Sequence, residues 1–144
     1  MNATNRFHDR AVLVVEDEFL IAMDMAYAIE EWGASVLGPL GSQTEALDFL
    51  ARGDAHIDVA VLDVNLGSHT AFDIADKLRE LDVPVIFVTG YDASSIPERY
   101  RAVPRCEKPV DQADLGRALE QTMHTRYADG YAVPAAKPVE LRNE

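Results

Sequence analysis

Apolar and polar residues follow one another in blocks along this chain. Runs of branched apolar residues with the length of buried strands occur at Ala11–Val15, Ala34–Leu37, Val59–Leu62 and Val85–Val88, with a weaker one near Ala102–Cys106. Between these runs, apolar residues recur at helical spacing over Glu18–Trp32, Ser42–Arg52, Ala71–Leu81, a short stretch near Ser94–Tyr100, and Gln112–His124. The pattern predicts five strands, each followed by a helix.

The predicted strands are solid apolar blocks rather than alternating ones, which indicates that both faces of the sheet are buried. Helices must then cover both sides of a parallel sheet, so we predict an α/β, doubly wound (βα)5 fold of the flavodoxin type with five parallel strands. A chain of 144 residues with 48% hydrophobic content can bury one core, placed here in residues 8–126. Tyr127–Glu144 mixes glycine, proline and charges without periodicity, so we expect a mobile tail and no effector domain.

Composition excludes several classes of protein. The 13 basic and 25 acidic residues give a net charge of −12, which is the wrong sign for binding nucleic acid. The single cysteine, Cys106, excludes an internal disulfide and a cysteine-based zinc site. No stretch approaches the ~20 apolar residues of a membrane span, and none resembles a leader. We therefore expect a cytoplasmic protein that contacts neither membrane nor nucleic acid.

Polar residues follow four of the predicted strands. They are Glu16, Asp17 and Glu18 after the first strand, Asp63 and Asn65 after the third, Thr89 after the fourth and Lys108 after the fifth. The carboxyl ends of parallel strands meet at one edge of the sheet, where ligands bind. Carboxylates gathered there would repel one another, and Mg2+ with its preference for oxygen ligands resolves that conflict. For Glu18 we prefer a simpler interpretation, a charge that favours the start of a helix.

The motifs Glu16-Asp17, Asp63, Thr89 and Lys108-Pro109 occur in an order and spacing that resemble the receiver domain of two-component response regulators. The likeness extends over about Arg10–Arg126. It implies that Asp63 accepts a phosphoryl group from a phosphohistidine on a histidine kinase or histidine phosphotransferase. It also implies that Thr89 and Lys108 contact the phosphoryl oxygens.

The same resemblance implies a metal site and a cis peptide bond. Mg2+ would be held by Glu16, Asp17, Asp63 and the backbone carbonyl of Asn65, and the bond before Pro109 would be cis. Such a protein promotes its own phosphorylation and dephosphorylation rather than acting as a conventional enzyme. It would be a monomer or a weak, phosphorylation-linked dimer whose output is contact with another protein.

A narrower likeness lies in "PVIFVTGY", Pro84–Tyr91, which resembles the PFxFATGY signature of the FAT GUY receivers, mostly stand-alone regulators. Val85 and Val88 depart from that signature. The fifth strand also carries Arg105 where most receivers have a switch aromatic. We therefore expect switching in Thr89–Tyr100, which would be mobile without phosphate, become ordered on phosphorylation and expose a face that includes Arg105.

The first predicted helix offers a docking surface. Its core stripe leaves Phe19, Leu20 and Met23 on other faces beside the phosphorylation pocket, and exposed apolar groups near a site often mark a contact. We expect the kinase or phosphotransferase to bind there. The residues do not identify the downstream partner.

Other functions remain open. A phosphate sink, a relay intermediate and an unphosphorylated pseudo-receiver would share this fold. A haloacid-dehalogenase-type phosphatase would need Asp-x-Asp, where this chain has Asp63-Val-Asn65. A flavin carrier would need a phosphate loop after the first strand, where Glu16, Asp17 and Glu18 would repel the cofactor phosphate.

Overall fold

The computed structural model describes residues 6–90, 96–123, 125–128 and 131–134. The strands within these residues are β1 (Ala11–Val15), β2 (Ser35–Leu40), β3 (Val59–Asp63), β4 (Asn65–Leu66), β5 (His69–Thr70), β6 (Val85–Thr89), β7 (Arg105–Glu107), β8 (Thr125–Ala128) and β9 (Tyr131–Pro134). The α-helices are α1 (Phe19–Glu31), α2 (Gln43–Arg52), α3 (Phe72–Glu80) and α4 (Gln112–Met123). Strands β1, β2, β3, β6 and β7 form the predicted five-stranded parallel sheet, in the order β2-β1-β3-β6-β7.

Each face of the sheet is covered by helices, as the solid apolar strands predict. Leu13 and Val15 of β1 point to a core completed by α2 and α3, which contribute Leu50 and Ile74. Val12 and Val14 point to the other core, which α1 and α4 complete with Met25, Ile29, Leu115 and Leu119. The alternation arises because successive side chains of a strand point to opposite faces.

The strand order reverses between β1 and β3, since β2 lies on one side of β1 while β3, β6 and β7 lie on the other. Val15 is paired with Leu62 across these neighbours, and Asp63 is paired with Val88 of β6. This register brings the residues that end β1, β3 and β6 to one edge. Ligands of open parallel sheets bind at such a reversal.

Strand β2 is longer than predicted and irregular. Its register against β1 shifts after Leu13, and Gly38 has a φ of 97°, a left-handed conformation that favours glycine. A Cβ at Gly38 would lie 2.7 Å from the backbone nitrogen of Leu40. The bend lets the Leu40 carbonyl accept a hydrogen bond of 2.9 Å from the Glu16 N–H, which fixes the backbone at the end of β1.

The helix predicted near Ser94–Tyr100 is wrong as an α-helix among the described residues. The described residues there contain only a 3-10 helix at Glu98–Tyr100, preceded by Pro97. Proline has no N–H and clashes with the preceding turn inside an α-helix, which explains why a regular helix does not run through it. The connection from β6 to β7 therefore has no α-helix among its described residues. Residues 91–95 of the expected switching segment lie outside the described part.

The chain after α4 also differs from the expected unstructured tail that begins at Tyr127. Strands β8 and β9 pair in antiparallel register, with Thr125 opposite Pro134 and Ala128 opposite Tyr131. The signal was the Asp-Gly pair in the sequence between two short runs that contain tyrosine, which is typical of a hairpin connection. The rest of the predicted tail, residues 135–144, lies outside the described part of the chain.

In the described ranges, none of the helices combines the length and apolar character that crossing a membrane requires.

Candidate functional site

Three carboxylates converge at the edge of the sheet where the strand order reverses. One oxygen from each of Glu16, Asp17 and Asp63 lies within 4.8 Å of the others. Glu16 and Asp63 are each 2% exposed, because they directly end or follow central strands, whereas Asp17 is exposed. The structure thus brings together the acidic residues that the sequence singled out.

Lys108 places its ammonium between the two buried carboxylates. Its Nζ lies 3.0 Å from Asp63 Oδ2 and 3.2 Å from Glu16 Oε2. The Lys108 N–H donates to the Thr89 carbonyl at 2.8 Å, which fixes the chain as it leaves β7. The peptide bond between Lys108 and Pro109 is cis, as the sequence resemblance implies.

The charges of these groups perturb one another strongly. Burial, together with the adjacent Asp63, raises the pKa of Glu16 from 4.5 to about 8. Burial also raises the pKa of Asp63, although Lys108 opposes that effect. Burial alone would lower the pKa of Lys108, but the two carboxylates outweigh it and raise the pKa. The single ammonium of Lys108 therefore does not balance the negative charge of the carboxylates in the pocket.

This donor set fits a hard divalent cation. Glu16 Oε1 is buried and has no hydrogen-bond partner among the described residues, so it is available as a ligand. Mg2+ commonly takes one or two carboxylates together with waters and phosphate oxygens. Asn65, the fourth predicted ligand, donates its N–H to Asp63 Oδ1 at 3.1 Å and so lies in the same turn.

Asp17 is oriented by a residue whose role the sequence did not reveal. Its Oδ2 accepts a hydrogen bond of 3.1 Å from the Gly67 N–H, in the turn between β4 and β5. Gly67 has a φ of 66°, which is left-handed, and a residue with a side chain is strained there. The sequence signal that could have indicated this turn was the glycine two residues after Asn65.

Thr89 ends β6 and is 4% exposed. Asp63 is paired with Val88, the residue before it, so Thr89 lies at the same edge as the carboxylates. The structure therefore places Thr89 at the same end of the sheet as the predicted phosphoacceptor.

Glu18 departs from the simple role expected for it. It occupies the N-cap position of α1, but its side chain makes no capping hydrogen bond. Its carboxylate instead lies with Oε1 3.6 Å from Lys108 Nζ. The helix-start interpretation is therefore incomplete, since the side chain faces the pocket.

The predicted docking residues are exposed beside this pocket. Phe19, Leu20 and Met23, at the start of α1, are exposed by 72%, 76% and 43%. Tyr27, one turn further on, is 65% exposed and extends the same apolar surface. Arg105 is also exposed, as expected of a guanidinium in place of a switch aromatic.

A second polar cluster, which the sequence pattern did not indicate, joins the 3-10 helix to α3. The Tyr100 hydroxyl donates to Asp76, and Arg99 also binds that carboxylate, at 3.1 and 3.2 Å. The Tyr100 ring stacks on Phe72 and packs edge-on against Phe87. Burial, with the nearby Asp76, raises the pKa of Tyr100 to about 12. We call Asp76, Arg99 and Tyr100 the α3 clamp.

Comparison with known protein families gives a match over most of the chain. The family model described as the response regulator receiver domain matches residues 12–120 of this chain. The phyllosphere-induced regulator PhyR of Methylorubrum extorquens is 32% identical over 120 residues, which cover 78% of this chain and 43% of PhyR. The transcriptional regulatory protein PdtaR of Mycobacterium tuberculosis is 30% identical over 115 residues, covering 77% of this chain and 55% of PdtaR. The chain spans about half the length of these curated relatives.

Solved structures agree in fold. The BeF3-activated conformation of SdrG from Pseudomonas melonis Fr1 is 33% identical with a TM-score of 0.64, and the match covers 83% of this chain and 97% of SdrG. A response regulator receiver protein from Sinorhizobium medicae WSM419 has a TM-score of 0.68 at 24% identity, over 79% of this chain and 94% of that protein.

Proposed function

The chain belongs to the response regulator receiver family, and on this basis we propose that Asp63 accepts a phosphoryl group from a histidine kinase or histidine phosphotransferase in a Mg2+-dependent reaction. The observation that carries the proposal is the position of the buried Asp63 carboxylate, 3.0 Å from the Lys108 ammonium and clustered with two further carboxylates. A nucleophilic carboxylate beside a fixed cation and a metal-binding cluster is suited to phosphoryl transfer.

The metal would be held by Glu16, Asp17, Asp63 and the Asn65 carbonyl. When bound, Mg2+ supplies positive charge to the phosphoryl oxygens and to the carboxylates that otherwise repel one another.

Asp63 acts as the nucleophile in this proposal. A carboxylate oxygen forms the new P–O bond as the P–N bond to the donor imidazole breaks, and the electron pair of that bond stays on the imidazole nitrogen. The Asn65 N–H on Oδ1 holds the carboxylate in one orientation during the transfer. Holding the reacting atoms in place accounts for much of the rate in such reactions.

Lys108 and Thr89 serve the transferred group. The ammonium already contacts Asp63, so it lies where negative charge arrives with the phosphoryl oxygens. The Thr89 hydroxyl at the neighbouring strand end donates a hydrogen bond to one of these oxygens. Fixed donors of this kind stabilise charge that develops during the reaction.

The phosphodonor protein docks on the exposed start of α1, which we call the α1 surface: Phe19, Leu20, Met23 and Tyr27. These side chains lie directly after Glu16, Asp17 and Glu18 along the chain, and an apolar group of this size beside a reactive pocket is a typical contact surface.

Output proceeds through protein contacts rather than nucleic acid, in keeping with the net charge of −12. The narrower likeness to FAT GUY receivers, cytoplasmic location and the monomer or weak dimer stay predictions.

Arg105 and the segment 89–100 carry the signal, the segment becoming ordered on phosphorylation. Unchanged hydrogen exchange over residues 89–100 on adding beryllofluoride would contradict this switch. Relay and phosphate-sink roles use the same phosphorylated Asp63.

The test is phosphorylation by acetyl phosphate or by a phosphorylated kinase with Mg2+, read as intact mass. We expect one phosphoryl group on the wild-type chain, none on Asp63→Ala, and one on the matched control Asp54→Ala, which removes an exposed carboxylate elsewhere. Excess chelator should abolish labelling. Comparable labelling of Asp63→Ala would refute the assignment, and a wild-type chain that is never labelled would favour a pseudo-receiver.

A further inference from the structure

The Lys108 ammonium has three carboxylate neighbours, and one differs from the others. Asp63 and Glu16 have side chains 3% and 0% exposed, at 3.0 and 3.2 Å from Nζ. Glu18 lies at 3.6 Å with a side chain that is 60% exposed. Glu18 therefore approaches Lys108 from the solvent side of the pocket.

A backbone hydrogen bond places Glu18 next to the pocket. The Glu18 N–H donates to Glu16 Oε2 at 3.1 Å, the oxygen that Lys108 also contacts. The Glu18 side chain makes no capping hydrogen bond with α1, so helix capping does not account for its direction. The backbone of Glu18 is thus held beside the Glu16 oxygen that Lys108 contacts, and the Glu18 carboxylate extends from there toward the ammonium.

An ammonium has three N–H donors and no acceptor. Asp63 and Glu16 each accept a hydrogen bond from the Lys108 ammonium, while Glu18 lies 3.6 Å away as an ion pair without a hydrogen bond, so a phosphoryl oxygen that takes the third N–H must crowd the Glu18 carboxylate. Glu18 is the one to leave, because it is the most distant and the most exposed. Its negative charge also repels an arriving anion across the same few ångströms.

We propose that Glu18 is a positioning residue that pairs with the Lys108 ammonium from the solvent side of the pocket and thereby weakens binding of the phosphoryl group. The inference rests on the proposed function, since it concerns the same pocket. It adds a residue that sets how strongly an unphosphorylated pocket attracts its anionic ligand. Glu18 competes for Lys108 and takes no part in the transfer.

The first test measures beryllofluoride affinity, as a mimic of the phosphoryl group, at saturating Mg2+. Glu18→Gln should bind about two- to fivefold more tightly than the wild type, the size expected when an exposed ion pair is lost. High salt should shrink the difference, because it screens exposed charges. Asp24→Asn, which removes an exposed charge from the same helix, is the control and should match the wild type. Equal affinity of Glu18→Gln and the wild type would overturn the proposal.

Glu18→Asp separates contact from long-range repulsion. It keeps the charge but shortens the side chain by one methylene, which withdraws the carboxylate from Lys108. If the contact matters, Glu18→Asp should bind like Glu18→Gln. If Glu18→Asp binds beryllofluoride like the wild type, repulsion between the carboxylate and the anion is sufficient. The proposal that Glu18 acts through its contact with Lys108 would then be wrong.

A second measurement needs neither metal nor beryllofluoride. Metal-free protein is treated briefly with acetic anhydride, and acetylation of Lys108 is compared with that of Lys77 by peptide mass spectrometry. Lys77, 3.6 Å from Glu80 on α3, is the internal standard. Glu18→Gln should raise the Lys108-to-Lys77 ratio, because losing a carboxylate neighbour favours the reactive neutral amine. An unchanged ratio refutes the Glu18–Lys108 contact, whereas failure of the wild type to bind beryllofluoride counts against the proposed function.

Discussion

Lys108 Nζ lies 3.0 Å from Asp63 Oδ2 although β6 separates β3, which ends at Asp63, from β7, which ends just before Lys108. The side chain crosses the end of β6, where Thr89 lies, and its own N–H is fixed by the Thr89 carbonyl. The cation is therefore held in place before any phosphodonor arrives.

Replacing this cation should slow the reaction. Lys108→Met keeps the length of the side chain but removes the charge, so we expect the rate of Asp63 phosphorylation by acetyl phosphate to fall at least about tenfold, the change that ~1.4 kcal/mol of transition-state stabilisation produces. Lys77→Met is the matched control and should not change the rate. A Lys108→Met rate within twofold of the wild type would show that the ammonium is dispensable.

Affinity for Mg2+ should depend on pH through Glu16. Burial and Asp63 raise the pKa of Glu16 from 4.5 to about 8, so below that pH the metal-free site carries a proton that Mg2+ must displace. Affinity should therefore rise by up to about tenfold per pH unit from about pH 6 and level off above about pH 8. Titration calorimetry in buffers of different ionisation enthalpy measures the released proton. Glu16→Gln should release none, and a pH-independent affinity in the wild type would contradict the prediction.

Gly67 should matter for the metal and Gly53 should not. Both have a φ of 66° with no atom within 4 Å of an added Cβ, so alanine brings similar backbone strain, about 1 kcal/mol, at either site. Only Gly67 donates to Asp17. We expect both alanine variants to lower the free energy of unfolding equally in urea, and only Gly67→Ala to weaken Mg2+ binding. Equal Mg2+ affinities would remove the orienting role of Gly67.

The α3 clamp should contribute to stability through the Tyr100 hydroxyl. Tyr100→Phe keeps the ring contacts with Phe72 and Phe87 but loses the hydrogen bond to Asp76. We expect the free energy of unfolding to fall by about 1 kcal/mol, as for a typical intramolecular hydrogen bond. Tyr27→Phe is the matched control, since Tyr27 is 65% exposed. A loss of equal size in both variants would mean that the Asp76 contact adds nothing.

Acid should weaken the same clamp. Burial opposes ionisation of Asp76, but Tyr100 and Arg99 outweigh it and lower the pKa of Asp76 below 3.8. A carboxyl group whose pKa is lower in the folded chain than in the unfolded chain stabilises the fold at pH values above its unfolded-state pKa. This stability is lost as the pH falls through its folded-state pKa. The difference between the wild type and Asp76→Asn in urea unfolding should therefore shrink below about pH 4. A constant difference down to about pH 2 would contradict this.

The α1 surface should govern transfer from a protein donor. Phe19→Ala and Met23→Ala should slow phosphotransfer from the kinase while leaving phosphorylation by acetyl phosphate unchanged, because the small donor needs no docking. Leu81→Ala controls for loss of an exposed apolar side chain elsewhere, since Leu81 is 46% exposed. Circular dichroism checks folding. Unchanged kinase rates in both α1 variants would exclude this surface.

The sequence by itself determined the parallel sheet and the residues gathered at its edge. Solid apolar runs such as Val59–Leu62 can be buried on both faces only within a helix-covered sheet, and the residue after each run must then lie at the sheet edge. Asp63 and Thr89 could be placed in the pocket for that reason. Local signals were less decisive elsewhere: the short helix expected near Tyr100 is a 3-10 turn after Pro97, and the hairpin of β8 and β9 was not anticipated.

Only the tertiary structure decided the contacts between loops. The Gly67–Asp17 bond, the approach of Glu18 to Lys108 and the α3 clamp each join segments whose separation along the chain follows no period. Their geometry depends on how loops leave the strands and on which rotamers the packed core permits, and neither is encoded in local spacing. Hydrophobic periodicity fixes which residues end a strand, but side-chain direction beyond that point is set by neighbours that only the folded chain supplies.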